Sequence, residues 1–314
     1  MTESDRAASA VRSTEVRRAR YSGRWRAAEL LWLLVPVLGW WSGGLALGWL
    51  LLMVALIAQV LPKRVGPTAL ARLPAAATVL VAAVSALGLT AGFLAIPWLS
   101  SRALAAGSAV AACLGLAVAV GVRRYRRRSE ATTGSADWYL PCIPLVATFA
   151  LVAAARLRTL SSPSSPITWS QMSGDDFSHL SLSVLTVHSG GLDYSQYPYP
   201  RGLNTVVGWA FAAFGPSQPS ELLNGWTRLW SSFELFNFGL LMVAMAVAVL
   251  TSLRTLRAPK FAGAAAMMVL LVAGFTGPIF GFTVGRGFAT TIAGGWMLLS
   301  VVPLGLAAPP NPSQ

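Results

Sequence analysis

The sequence has few charged residues. Only 11% of its 314 residues are Asp, Glu, Lys or Arg, whereas 55% are hydrophobic. Soluble domains carry about 25% charged residues. Apolar runs near 20 residues recur along the chain, and a helix needs about 20 residues to cross a bilayer. This composition excludes an ordinary soluble domain and predicts an all-α, polytopic membrane protein in contact with lipid.

Cysteine is also scarce. The chain has two, Cys113 and Cys142, and each lies inside an apolar run. There is no CxxC pair, so the sequence offers neither a disulfide framework nor a cysteine-based metal site. Both residues are expected to be small, buried and hydrophobic.

Acidic residues are outnumbered, and the formal net charge is +13. A basic chain could bind nucleic acid, but here the arginines lie in short clusters between apolar runs. That distribution is typical of the positive-inside rule for membrane proteins. We therefore expect no nucleic-acid partner.

The apolar runs predict about eight transmembrane helices. They lie near residues 29–42, 44–61, 74–99, 103–122, 138–155, 230–250, 261–282 and 288–307. With the N-terminus and C-terminus both cytoplasmic, 18 basic residues fall on the cytoplasmic side and 6 on the other. This asymmetry supports the arrangement. The first two runs leave an alternative open, since the short first run, which contains Pro36, could be half of a re-entrant hairpin.

This topology divides the chain into five segments. They are a disordered basic cytoplasmic tail (1–28), a five-span bundle (29–155), an extracytoplasmic loop (156–229), a three-span bundle (230–307) and a C-terminal tail (308–314). The loop is long and polar, and loops longer than about 15 residues are usually functional or disordered. Its apolar stretch 203–214 is too short to span a bilayer, so we expect a helix at the membrane surface or packed against the bundle.

The loop contains the stretch SGDDFSH, residues 173–179, in a chain with eleven acidic residues and two histidines. Read as a helix, residues 175–188 place Asp175, His179 and Ser183 on one polar stripe. We expect that stripe to face water or a site, and the opposite stripe, which includes Leu180 and Val184, to be buried.

The paired acids have two interpretations. Ser173 and Asp176 match the [ST]-x-x-[DE] capping box, which begins many helices without any further function. Asp175 is not needed for that box. Two adjacent carboxylates can also accept a proton or bind a divalent cation.

At this point the loop resembles a known family. Asp175 with His179, followed by Tyr199, Pro200 and Gly202, is similar to the D-x-x-x-H and YP-x-G segments of polytopic GT-C glycosyltransferases, closest to those of actinobacterial membranes. The resemblance covers about residues 170–215. The sequence departs from it at Asn204, where those proteins carry histidine.

The resemblance implies a bacterial cell-envelope enzyme that transfers a sugar from a polyprenyl phosphate donor to an extracytoplasmic acceptor. Asp175 would be the catalytic base, Asp176 its partner, and His179 would orient one of them or contact the donor phosphate. In some members a divalent cation, Mg²⁺ or Mn²⁺, would join Asp175 and Asp176. The chain ends soon after its eighth run, so we also expect either a partner membrane subunit or a relative without activity.

Further residues are candidates for substrate binding. They are Tyr199, Arg201, Asn204 and Arg286. Arg201 could bind a phosphate, and Arg286 either reaches lipid headgroups or binds an anionic lipid. Two other functions stay open: a non-enzymatic component that binds or moves a lipid-linked glycan, and a small-molecule transporter. The near absence of charge within the predicted spans weighs against a transporter.

Overall fold

The structure is a computed structural model that describes residues 34–62, 65–66, 69–126, 174–190, 202–216, 218–255, 262, 265–266 and 289–306. Within these ranges the chain is helical and has no strand, which confirms the all-α prediction. The helices are α1 (Leu34–Val60), α2 (Leu73–Phe93, after a 3₁₀ turn at Leu70–Arg72), α3 (Arg102–Arg126), α4 (Gly174–His188), α5 (Gly202–Phe214), α6 (Pro219–Thr255) and α7 (Ala289–Leu306).

Three helical segments in the described ranges are long and apolar enough to cross a membrane: Leu70–Phe93, Arg102–Arg123 and Asn224–Val249. They correspond to the predicted runs 74–99, 103–122 and 230–250, so the chain is a membrane protein. The helix of the last run begins at Pro219, within the segment that the sequence assigned to the loop. Run 138–155 and nearly all of run 261–282 lie outside the described residues, as do the two terminal tails.

Helix α1 reverses direction at Gly44, whose backbone angles are φ 77° and ψ −170°. A Cβ atom at Gly48 would lie 2.7 Å from the Cβ of Trp40, and one at Gly39 would lie 2.6 Å from Leu51 Cδ1. In a straight helix Gly39 and Leu51 would be about 18 Å apart. Residues 34–43 therefore fold back on residues 44–60 as a hairpin, a geometry shared by the two-span and re-entrant alternatives.

Two arginines bring three chain connections to one end of the bundle. Arg102 Nη2 donates to the Gly215 carbonyl (2.8 Å), and Arg228 Nη2 donates to the Trp41 carbonyl beside the α1 reversal (2.7 Å). Arg72 Nη1 donates instead to Leu61 O (3.2 Å), beyond the far end of α1. The α1 reversal, the α2–α3 turn and the α5–α6 turn thus share one end of the bundle.

Helix α5 lies inside the bundle and contacts α1, α2, α3, α4 and α6. Ten of its 13 residues are buried, so of the two expected positions for this stretch, packing against the bundle is the one observed. Trp209 secures the helix: its indole Nε1 donates to Ala105 O (3.1 Å) and Ser108 Oγ (3.0 Å) on α3. A short helix that is apolar on all faces is expected to be buried.

Candidate functional site

Helix α4 begins at Gly174, which confirms the helix predicted over residues 175–188. Asp175 and Asp176 are the second and third residues of its first turn. Asp176 therefore has the N3 position that the capping box assigns to an acid. A helix N-terminus also favours negative charge. The structure does not describe the side chains of Asp175, Asp176 and Phe177.

The polar stripe of α4 is turned into the protein and not to water, and the expected burial of Val184 was wrong. His179 is 3% exposed, Ser183 and Thr186 are fully buried, and Val184 on the apolar stripe is 41% exposed. The prediction assumed a helix that lies along the membrane surface, with one side facing water. The structure instead pairs these polar groups inside the bundle, as buried polar groups require: the hydroxyls of Ser183 and Thr186 donate to carbonyls of α4 itself. Leu180, at 4% exposed, is buried as expected.

Asn204 of α5 joins the buried face of α4. Its Nδ2 donates to the His179 carbonyl (2.6 Å) and to Ser183 Oγ (3.2 Å), and the Ser183 hydroxyl also donates to the His179 carbonyl (3.0 Å). A Cβ atom at Gly208, one turn further along α5, would contact Val187 Cγ2 at 3.1 Å. The two helices therefore run side by side in the same direction.

Gly202, the glycine of the YP-x-G segment, allows α5 to begin close to α2. A Cβ atom on this residue would lie 2.7 Å from Ser85 Oγ, a separation at which a neighbouring side chain must move. The glycine therefore has a packing function that sets the position of Asn204, two residues later.

Trp230 of α6 closes the other side of His179. The two rings are nearly parallel, with an interplanar angle of 19° and centroids 5.9 Å apart. Trp230 is fully buried. Sequence reasoning missed this residue, because a tryptophan at the start of an apolar run carries no signal that separates a site from a core.

Two buried polar atoms beside His179 have no hydrogen-bond partner among the described residues. They are Asn204 Oδ1, an acceptor, and Trp230 Nε1, a donor. Leaving such a group unpaired costs about 1–3 kcal/mol, and native proteins contain few of them. Both therefore need an explanation, and both belong to residues that contact His179, Asn204 at the main-chain carbonyl and Trp230 at the ring.

The other predicted site residues fall elsewhere. Tyr199, Arg201 and Arg286 lie outside the described residues. The part of the chain that the structure describes holds no group of three or more His, Cys, Asp or Glu side chains able to hold a metal ion. The side chains of Asp175 and Asp176 are not among the described ones, so this finding does not bear on a cation there.

Comparison with known protein families, with curated proteins and with solved structures found no match for this chain.

Proposed function

We propose that the chain is a polytopic membrane glycosyltransferase of the GT-C type. It would transfer a sugar from a polyprenyl phosphate donor to an acceptor outside the cytoplasmic membrane. In this proposal the chain crosses the membrane eight times, both termini are cytoplasmic, and residues 156–229 are extracytoplasmic.

One observation carries the proposal. The two segments that resemble GT-C enzymes are separate in sequence, yet the bond from Asn204 Nδ2 to the His179 carbonyl spans only 2.6 Å. The D-x-x-x-H segment and the residues that follow YP-x-G are therefore neighbours across α4 and α5. Two motifs of one active site have to be adjacent, and α4 and α5 meet this requirement, as consecutive helices commonly do.

In the proposed reaction Asp175 is the general base. It takes the proton of the acceptor hydroxyl while the acceptor oxygen bonds to the anomeric carbon of the donor sugar. The bond from that carbon to the phosphate oxygen breaks, and polyprenyl phosphate leaves with the electron pair. Asp176 stabilises the N-terminus of α4, which carries a partial positive charge. His179 holds α4 in place through its contacts with Asn204 and Trp230.

The remaining candidate residues are assigned to binding of the sugar donor. Arg201, Tyr199 and Arg286 are proposed to hold the donor phosphate, since a guanidinium can pair with two phosphate oxygens. A divalent cation at Asp175 and Asp176 would add positive charge beside the leaving phosphate. Nothing in the proposed proton transfer requires it.

The second candidate function is binding or movement of a lipid-linked glycan without transfer. The observation in its favour is the burial of His179 and Asn204, which are 3% and 0% exposed. Ionisable residues inside membrane bundles often mark binding or transport pathways. This candidate assigns the acids of α4 to helix capping alone.

The test is sugar transfer in membranes from cells that express each variant at matched levels. The donors are radiolabelled polyprenyl phosphates of mannose, glucose, galactose and arabinose. General-base catalysis is worth about 10²–10⁴-fold, so Asp175→Asn should reduce transfer by that order. Glu221→Gln, which removes an exposed acid from the first turn of α6, should leave transfer unchanged.

Two results would contradict the proposal. Near-normal transfer by Asp175→Asn would end the general-base assignment. Absence of transfer by the unmutated protein with every donor would favour binding without transfer.

A further inference from the structure

We infer that Asn204 Oδ1 and Trp230 Nε1 bind neutral hydroxyl groups of the sugar portion of the ligand. This inference deepens the proposed function and rests on its ligand class. We name these two atoms, whose residues both contact His179, the hydroxyl site. It adds Trp230 as a binding residue and gives Asn204 a specific partner.

The chemistry of the two atoms limits what can satisfy them. An amide oxygen only accepts hydrogen bonds, and an indole N–H only donates them. A phosphodiester could serve Trp230 but would leave Asn204 Oδ1 unpaired, and an ammonium group would do the reverse. A hydroxyl both donates and accepts. Sugars present several hydroxyls on one rigid ring, so one ligand can serve both atoms.

The connections of the two residues explain why the atoms stay available. Asn204 uses its Nδ2 group for the His179 carbonyl and the Ser183 hydroxyl, which fixes the direction of its oxygen. Trp230 is held by its ring contacts with His179 and Phe233, whose centroids lie 5.9 and 6.0 Å away. The site is therefore ordered before a ligand arrives, which reduces the entropic cost of binding.

The way in lies between α4 and α6. Helix α4 packs extensively on α5 and only lightly on α6. The two polar atoms are buried in this structure, so the hydroxyl site is closed here. A ligand would enter by separation of α4 from α6, which leaves the Asn204 bonds to α4 intact.

The inference can be tested with the full chain in detergent micelles and free glucose, galactose and mannose as probes. Saturation-transfer NMR detects weak binding of these neutral sugars. The variant is Trp230→Phe, which keeps an aromatic ring and removes Nε1. The matched control is Trp226→Phe, one turn earlier on α6, where the tryptophan stacks on Phe211 with centroids 3.7 Å apart. Size-exclusion chromatography confirms that both variants fold.

We expect at least one neutral sugar to bind the unmutated protein and the Trp226→Phe control equally. Loss of one neutral hydrogen bond should weaken its binding to Trp230→Phe about two- to tenfold. A measurement that needs no variant is competition: a phosphate without a donor, dimethyl phosphate at millimolar concentration, should not displace the bound sugar. Equal binding by both variants, displacement by phosphate, or no binding of any sugar would each overturn the inference.

The outcome is separable from that of the proposed function. Sugar binding that depends on Trp230, in a protein without transfer activity, would retain the hydroxyl site and reject the transferase. Transfer that depends on Asp175, with neutral-sugar binding unaffected by Trp230→Phe, would retain the transferase and reject the hydroxyl site.

Discussion

The side-chain amide of Asn204 donates to the main-chain carbonyl of His179 across 2.6 Å and 25 positions of sequence. The acceptor is a carbonyl inside α4, so the bond fixes the backbone of α4 to α5 rather than one side chain to another. Because α5 is itself held by Trp209 against α3, the position of α4 is set by the bundle. Asn204 therefore determines where the first turn of α4, with its two acids, can lie.

We predict that Asn204→Leu destabilises the protein. The leucine removes both bonds made by Nδ2 and leaves the Ser183 hydroxyl with fewer partners in a buried place. The expected loss is about 1–3 kcal/mol, measured by thermal unfolding of the purified protein in detergent. Thr90→Ala removes an exposed bond within its own helix and should change stability little. If the two variants melted at the same temperature, the hydrogen bonds between α4 and α5 would contribute nothing to stability.

For Asp176→Asn we expect a smaller effect on transfer than for Asp175→Asn. Asp176 is the third residue of α4, where an acid stabilises the helix start by about 0.3–1 kcal/mol. The variant should melt slightly earlier and retain most of its transfer activity. The two activities are compared in the same membranes. A loss of transfer as large as that of Asp175→Asn would place both acids in the reaction.

Run length and composition were enough to predict the helices. The long apolar runs became α2, α3 and α6, and the periodicity over 175–188 became α4. The side of α4 that faces inward was not predicted correctly. The rule used was that a helix with one side in water buries its apolar stripe. Val184 is exposed and Ser183 is fully buried, because the packing of α4 on α5 decides which side of the helix is covered.

The candidate site was predictable only in part. Asp175 and His179 stood out because acids and histidines are rare in this chain. Asn204 stood out because the resembling family has histidine there. The structure joins His179 and Asn204. Trp230 did not stand out, since its importance comes from its position beside His179 and not from its sequence context. A contact between helices this far apart in sequence leaves no trace in periodicity.

The predicted topology can be tested by labelling single cysteines in intact cells with a membrane-impermeant thiol reagent. In a background with Cys113 and Cys142 replaced by alanine, Ser164→Cys and Gln218→Cys should be labelled. Gln218 is exposed between α5 and α6. Ser129→Cys, just beyond the RRYRRR cluster, should react only after lysis. The reverse labelling pattern would show the opposite orientation in the membrane and would rule out an extracytoplasmic site.

The hairpin of α1 depends on the backbone of Gly44. Its φ of 77° with ψ of −170° lies in a region that only glycine adopts readily. A Cβ atom there would meet nothing within 4 Å, so any cost of Gly44→Ala comes from the backbone and not from a clash. The expected loss of stability is about 1–3 kcal/mol.

Gly115→Ala is the matched control for this last prediction. Gly115 lies within α3, and a Cβ atom there would also meet nothing within 4 Å. Alanine is favoured over glycine in a helix by about 1 kcal/mol, so this variant should be as stable as the unmutated protein or more so. Thermal unfolding in detergent measures both. Only Gly44→Ala should melt earlier, since the two substitutions add the same methyl group to open space and differ in the backbone conformation that receives it. If both variants melt at the same temperature, the reversal of α1 does not depend on a glycine at position 44.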